Sequence, residues 1–216
     1  MLDITHFPLF LASVFLLCIT PGPDLAYVVG QSVANGRRSG VISAAGVALG
    51  SCTHAVASAI GLTALIAASP LLFTVIKYIG AAYLLFLGSK MVWGTFVSRN
   101  TAQQAGEAAV KMPVSARSLL TRGLITSVTN PKVLLFFIAF FPQFVVVDGD
   151  HHAQSFLILG LTYALVGLTT DTLFALLAGG AASAVAKNAA MQKLLDRVVG
   201  VTFIGLGIRL ALTRRG

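Results

Sequence analysis

The chain has 216 residues, of which 56% are hydrophobic and only 10% charged, and its mean hydropathy is +0.89. So little polar surface excludes a soluble globule of this size and leaves no room for a sizeable extramembrane domain; the chain belongs in a bilayer. A net charge of +8 suggests nucleic acid in a soluble protein, but here the basic residues fall mostly in short links between apolar runs, so they report topology and no nucleic-acid partner is expected.

In chain order, apolar runs at about 7–33, 41–67, 71–92, 123–144, 153–178 and 198–212 read as six membrane spans of a single all-α transmembrane domain. No Lys or Arg precedes Arg37, and the first run lacks a small-x-small cleavage pattern, so it reads as a retained helix. Its centre holds Thr20-Pro21-Gly22-Pro23-Asp24, with two prolines that remove backbone donors, a glycine and a carboxylate that hydrocarbon penalises. Such a break must face protein or water. Freed carbonyls, the Thr20 hydroxyl and Asp24 then sit together at membrane depth, as in carriers with discontinuous helices.

The basic turn Gly36-Arg37-Arg38-Ser39-Gly40 leads to the second run, where Gly46 and Gly50 in G-x-x-x-G spacing let another helix approach closely, from this chain or from a second copy. His54 in the same run either relays protons or hydrogen-bonds a neighbouring helix. The third run ends at Lys90 and Trp93, which read as interface anchors. Residues 98–121 turn polar and basic, including Arg99, Glu107, Lys111 and Arg117, and read as the one substantial loop, cytoplasmic by charge.

The fourth run is interrupted by Thr129-Asn130-Pro131-Lys132, echoing the first break. Asp148-Gly149-Asp150-His151-His152 reads as a solvated turn, without the second ligand pair that a metal site needs. The fifth run carries Asp171 and ends at Gly179-Gly180. Lys187, Lys193 and Arg197 form a second basic link before the sixth.

Pro21 and Pro131 are 110 residues apart, and Leu87-Gly88-Ser89-Lys90 matches Leu206-Gly207-Ile208-Arg209 at an offset of 119. These point to a three-plus-three repeat with broken first and fourth spans, inverted because each half has an odd number of spans. With the N-terminus outside, the inner links hold Arg37, Arg38, Lys90, Arg99, Lys111, Arg117, Arg122, Lys187, Lys193 and Arg197, against Lys77, Arg209, Arg214 and Arg215 outside. Both termini are therefore expected to be periplasmic. Asp24 lies 9 residues before Val33, Lys132 9 after Gly123 and Asp171 7 before Ala178, which sets all three about 11 to 14 Å inside the cytoplasmic boundary. Mutual pairing of these charges is expected. Two Asp and one Lys leave one negative charge, which suits either a substrate ammonium or a proton.

The Thr-Pro-Gly-Pro-Asp break, Asn35-Gly36-Arg37-Arg38 with Gly40, Asn130-Pro131-Lys132, Pro142-Gln143-Phe144 and the Asp171 span, in this order, resemble the LysE/RhtB family of bacterial amino-acid exporters. The resemblance covers nearly the whole chain. It implies a multi-pass inner-membrane exporter of amino acids or their derivatives (homoserine, threonine, leucine or lysine type), working by proton antiport as a homodimer, with no cofactor and no enzymatic activity. It carries functional weight to Pro21, Gly22, Pro23, Asp24, Asn130, Pro131, Lys132 and Asp171. A divalent metal-ion exporter is the alternative, but Cys18, Cys52 and His54 make no convincing ligand set and Lys132 repels metal. A thiol redox shuttle lacks its symmetric cysteine, since Val128 stands 110 residues after Cys18.

Overall fold

The computed structural model describes residues 3–96, 114–146, 148–178 and 189–212. Arg99, Glu107, Lys111, Lys187, Arg214, Arg215 and the Gly179-Gly180 pair lie outside them. Regular structure among the described residues is helical: α1 (Phe7–Ile19), α2 (Pro23–Asn35), α3 (Arg37–Ala68), α4 (Pro70–Gly94), α5 (Ala116–Val128), α6 (Pro131–Phe140) with a 3-10 turn (Phe141–Phe144), α7 (His152–Leu177) and α8 (Ala189–Leu212).

Pro8 stands in the first turn of α1, where its missing N–H is not needed, and Phe10, Ser13, Val14 and Leu17 form the buried stripe. Pro21 ends that helix and Pro23 opens α2, so the two segments meet at a bend of 50°. Asn130 caps α6 with its side-chain oxygen and Pro131 follows, and here too α5 and the α6 segment meet at 50°. By length and composition α3, α7 and each of these two bent pairs can cross a membrane. Gly36, at φ +88°, turns the chain between α2 and α3 in a conformation that favours glycine.

Helix α5 starts inside the stretch 98–121 that composition assigns to a loop. Ser115 accepts the Ser118 N–H as its N-cap, and Leu119, Gly123 and Ser127 form the buried stripe while Arg117 and Arg122 stay exposed. The polar composition reflects one solvated helix face. Lys132 consequently lies 16 residues beyond the start of α5 at Ala116, and the break between α5 and α6 leaves it lining the same cavity as Asp24.

Small residues let α3 serve as the central helix. A side chain at Gly46 would strike the Leu120 backbone, a Cβ at Gly50 would stand 2.6 Å from Ser127 Cβ, and one at Gly123 would stand 2.7 Å from the Ser43 carbonyl. The partner of the G-x-x-x-G face is thus α5 of the same chain. On its other side α3 meets α7, with Gly160 against Ala55 and Gly40 against Ala175. Between α4 and α8, Gly88 meets the Gly200 carbonyl and Ile204, while Gly207 meets the Ala81 carbonyl and Leu85. Each residue of the first contact lies 119 positions from its counterpart in the second.

An aromatic core of Phe10, Phe136, Phe137, Phe140, Phe141, Phe144, Phe156 and Phe203, all fully buried, joins α1, α6, α7 and α8. Its ring centroids approach to 4.3 Å between Phe136 and Phe140 and 5.3 Å between Phe10 and Phe144. Beyond it the N-terminal segment is fastened across the chain: Ile4 pairs with Val145, Thr5 N–H donates to Phe144 O at 2.8 Å and Val146 N–H to Asp3 O at 2.8 Å. The Asp3 N–H reaches Ser155 Oγ at 3.0 Å and its carboxylate accepts the His151 N–H. The turn read as solvated is exposed at Asp148, Asp150 and His151, and Asp3 holds it in place.

Candidate functional site

In an unbroken helix the Leu17 carbonyl accepts the amide of residue 21, but Pro21 has none. Two other donors replace it: Thr20 N–H at 3.2 Å and the Lys132 ammonium at 2.9 Å. The same ammonium donates to Thr20 O at 3.0 Å. At the second break the Ser127 carbonyl has lost its donor to Pro131, and Asn130 N–H at 3.1 Å and His54 Nε2 at 3.2 Å take its place. Residues 17, 20 and 21 stand 110 positions before 127, 130 and 131. Both breaks thus share one backbone solution, each completed by a basic side chain from a different element.

The breaks flank a cavity of about 30 Å³ lined by Asp24, Lys132, Asp171, Asn130, Thr20 and Gly22 on its polar side. Leu17, Cys18, Leu25, Val47, Ser51, Val133, Tyr163 and Gly167 complete its wall. That volume holds about one or two water molecules, so the site as it stands is narrow. Asp24 stands in the first turn of α2, where the helix N-terminus favours negative charge. Its neighbours are Asn130, Lys132, Ser127 and His54, yet Oδ1 is buried without a hydrogen-bond partner. Asp171 is buried as well, with Asp24 and Lys132 as its charged neighbours.

Of the residues singled out by sequence, Asp24, Asp171, Lys132, Asn130, Thr20 and Gly22 come together around this cavity, while Pro21, Pro23 and Pro131 stand at the two breaks and are not among its lining residues. His54 does not line it. Its ring packs against Phe137 at 5.5 Å and it serves the second break from behind. The expected mutual pairing of charges takes another form. The hydrogen bonds of Lys132 go to the Leu17 and Thr20 carbonyls, because the proline break leaves strong acceptors within its reach. Thr20 contributes that carbonyl, since its hydroxyl is committed to Leu16 O at 2.7 Å. Asn130 Oδ1 is likewise committed, to the Lys132 N–H at 3.0 Å.

Tyr163 and Gly167 escape the sequence reading as site residues, although a signal exists: 163, 167 and 171 are spaced by four and occupy one face of α7. The assembled wall offers two carboxylates, one ammonium and an aliphatic surface. That is a lining for a small amphipathic solute with a charged head.

A family model, LysE type translocator, matches residues 15–214. The chain belongs to this family. Similar proteins include the leucine efflux protein of Enterobacter sp. (strain 638), 32% identical over 209 residues that cover 96% of both chains. The leucine efflux protein of Salmonella typhimurium is 32% identical over 202 residues, covering 94% of this chain and 92% of the relative, and that of Klebsiella pneumoniae is 33% identical over 203 residues with the same coverage. No solved structure matches the chain. As a LysE-type translocator with helices apolar enough to span a bilayer, the chain is a multi-pass membrane transporter and not an enzyme.

Proposed function

We propose that this translocator is a secondary-active exporter of amino acids across the bacterial inner membrane, that aliphatic amino acids such as leucine are its substrates, and that export is driven by proton antiport. The carrying observation is the convergence of Asp24, Asp171 and Lys132 on one cavity between two broken spans, beside an aliphatic wall of Leu17, Leu25, Val47 and Val133. An amino acid places its ammonium on the acidic side, its carboxylate toward Lys132 and its side chain along that wall. When it leaves, one Asp takes a proton, because two carboxylates and one ammonium otherwise leave a net negative charge among buried groups. The leucine efflux relatives support the substrate class. The Lys132 ammonium disfavours a divalent cation as cargo.

In this proposal six spans form a three-plus-three inverted repeat with both termini periplasmic. Supporting the repeat are the two breaks, alike in bend and backbone bonding at an offset of 110, and the α4–α8 seam, whose contacts exchange at an offset of 119. The excess of basic residues in the opposite links supports the orientation.

The test is counterflow of radiolabelled amino acids in reconstituted vesicles, with and without an imposed pH gradient. Leucine accumulation that collapses with the gradient, and that is lost in Asp24→Asn and Asp171→Asn proteins that still fold, is the expected result. Gradient-driven transport at wild-type rates by both variants sinks the proposed chemistry. Absence of any amino-acid flux from folded protein sinks the substrate class.

A further inference from the structure

We propose that the carbonyl oxygens of Leu17 and Thr20 are the acceptors for the substrate's ammonium group, and that the Lys132 ammonium occupies this site in the empty carrier as a tethered stand-in. The inference rests on reading the chain as an amino-acid carrier and names a subsite within it.

Three observations carry it. The two carbonyls already hold an R–NH3⁺ group, at 2.9 and 3.0 Å from Lys132 Nζ, and a substrate ammonium has the same charge and the same donors. The cavity of about 30 Å³ is too small for an aliphatic amino acid, so a resident group has to move before one enters. Lys132 is the polar lining residue with the longest and most flexible stem. Gly22 packs beside its stem without a side chain: a Cβ there would stand 3.5 Å from Lys132 Cδ and Nζ, and only hydrogen is present.

The exchange satisfies both ends of the substrate. An incoming ammonium takes the two carbonyls, beside Asp24 with its unpartnered Oδ1, and the released Lys132 meets the carboxylate one carbon away. An amine without a carboxylate displaces Lys132 and leaves it without that new partner, so the same device favours α-amino acids over simple amines. In the empty carrier Lys132 keeps the freed end of α1 satisfied, and the Thr20 carbonyl is not left without a donor.

Two measurements test the site without using an amino acid. The first follows thermal unfolding of purified wild-type and Lys132→Met carriers with methylammonium, 3-methylbutylammonium or tetramethylammonium. The variant is expected to melt lower than wild type and to regain several degrees with either primary ammonium. Tetramethylammonium, which has no N–H, is expected to do nothing. Equal shifts in both proteins, or none in the variant, overturn the proposal. The second keeps the wild-type chain, so it holds even where the variant does not fold. In carrier labelled with ¹⁵N-lysine, the Lys132 ammonium, held by two hydrogen bonds, is expected to give an exchange-protected resonance, and saturating 3-methylbutylammonium is expected to abolish that protection. Persistence of the protected signal overturns the proposal. A carrier that moves no amino acid leaves a positive result standing, whereas normal transport with both measurements negative removes this subsite alone.

Discussion

His54 Nε2 lies 3.2 Å from the carbonyl oxygen of Ser127, the acceptor that Pro131 leaves without its helical donor. That carbonyl accepts only, so the imidazole meets it with an N–H, and His54 acts on the second break as a cap. Replacing it with Leu keeps the volume and removes the donor. The expected loss is about 1–3 kcal/mol of stability, the usual effect of a buried polar group left unsatisfied, read as a lower melting midpoint. His54→Gln offers an amide N–H in its place and is expected to recover most of the loss. The pH dependence of transport by His54→Gln should match wild type; a flattened profile would return His54 to the proton path.

Gly50 lets α3 and α5 come together at a separation that admits no further side chain, since a Cβ built on it would stand 2.6 Å from Ser127 Cβ and 2.8 Å from the Leu124 carbonyl. Gly50→Val therefore forces two helix backbones apart. A loss of about 1–3 kcal/mol is expected from overpacking, measured by thermal or denaturant unfolding in detergent. Because this face is filled from within the chain, light scattering of the surviving fraction should give the same oligomeric mass as wild type. A specific loss of dimer with unchanged unfolding would place a second copy on this face.

Much of this arrangement is legible in the amino-acid sequence itself. Prolines and an acid inside an apolar run are expensive in hydrocarbon, so Pro21, Asp24, Pro131 and Lys132 announce the two breaks and the charges that meet between them. Other features are not legible, for identifiable reasons. The start of α5 at Ala116 hides behind Arg117 and Arg122, whose exposed positions mask a buried Leu119. That Lys132 bonds to backbone is invisible because carbonyls have no letter in a sequence, and pairing with Asp24 or Asp171 is the natural first reading. The role of His54 depends on the rotation of α3 against α5, which spacing does not set. Tyr163 and Gly167 lay within reach of a helical-face count from Asp171.

Ile4 pairs with Val145 at the end of the molecule where the N-terminus crosses the segment before α7. Asp3 reinforces the pairing through the Ser155 hydroxyl and the His151 amide. If alternating access separates α1 from α6 at that end, a covalent link there should stop it. With Cys18 and Cys52 replaced by Ser, an Ile4→Cys, Val145→Cys protein is expected to form a disulfide under mild oxidation and to lose most of its transport. Reductant should restore it. Full transport by the cross-linked form would mean that this end stays closed throughout the cycle.

Gly167 faces the cavity from α7, one turn before Asp171, and a Cβ built there meets only Cys18 Sγ, at 3.8 Å. The helix tolerates a methyl at this point without strain. Gly167→Ala should therefore gain stability, by about 0.5–1 kcal/mol, through the ordinary preference of a helix for Ala over Gly. Gly167→Val projects further into the space between the acids and the aliphatic wall. The space a substrate side chain takes in the opened site shrinks accordingly, and each methylene excluded from an apolar pocket is worth about 1–3 kcal/mol in discrimination. Leucine transport by Gly167→Val is expected to fall about tenfold or more, while alanine, which leaves that volume empty, should fall much less. The measurement is the ratio of leucine to alanine uptake in vesicles, with melting midpoints taken in parallel. An unchanged ratio would place the substrate side chain elsewhere, whereas equal loss of both substrates in a stable protein would mean that Gly167 acts on the charged head of the substrate through Asp171.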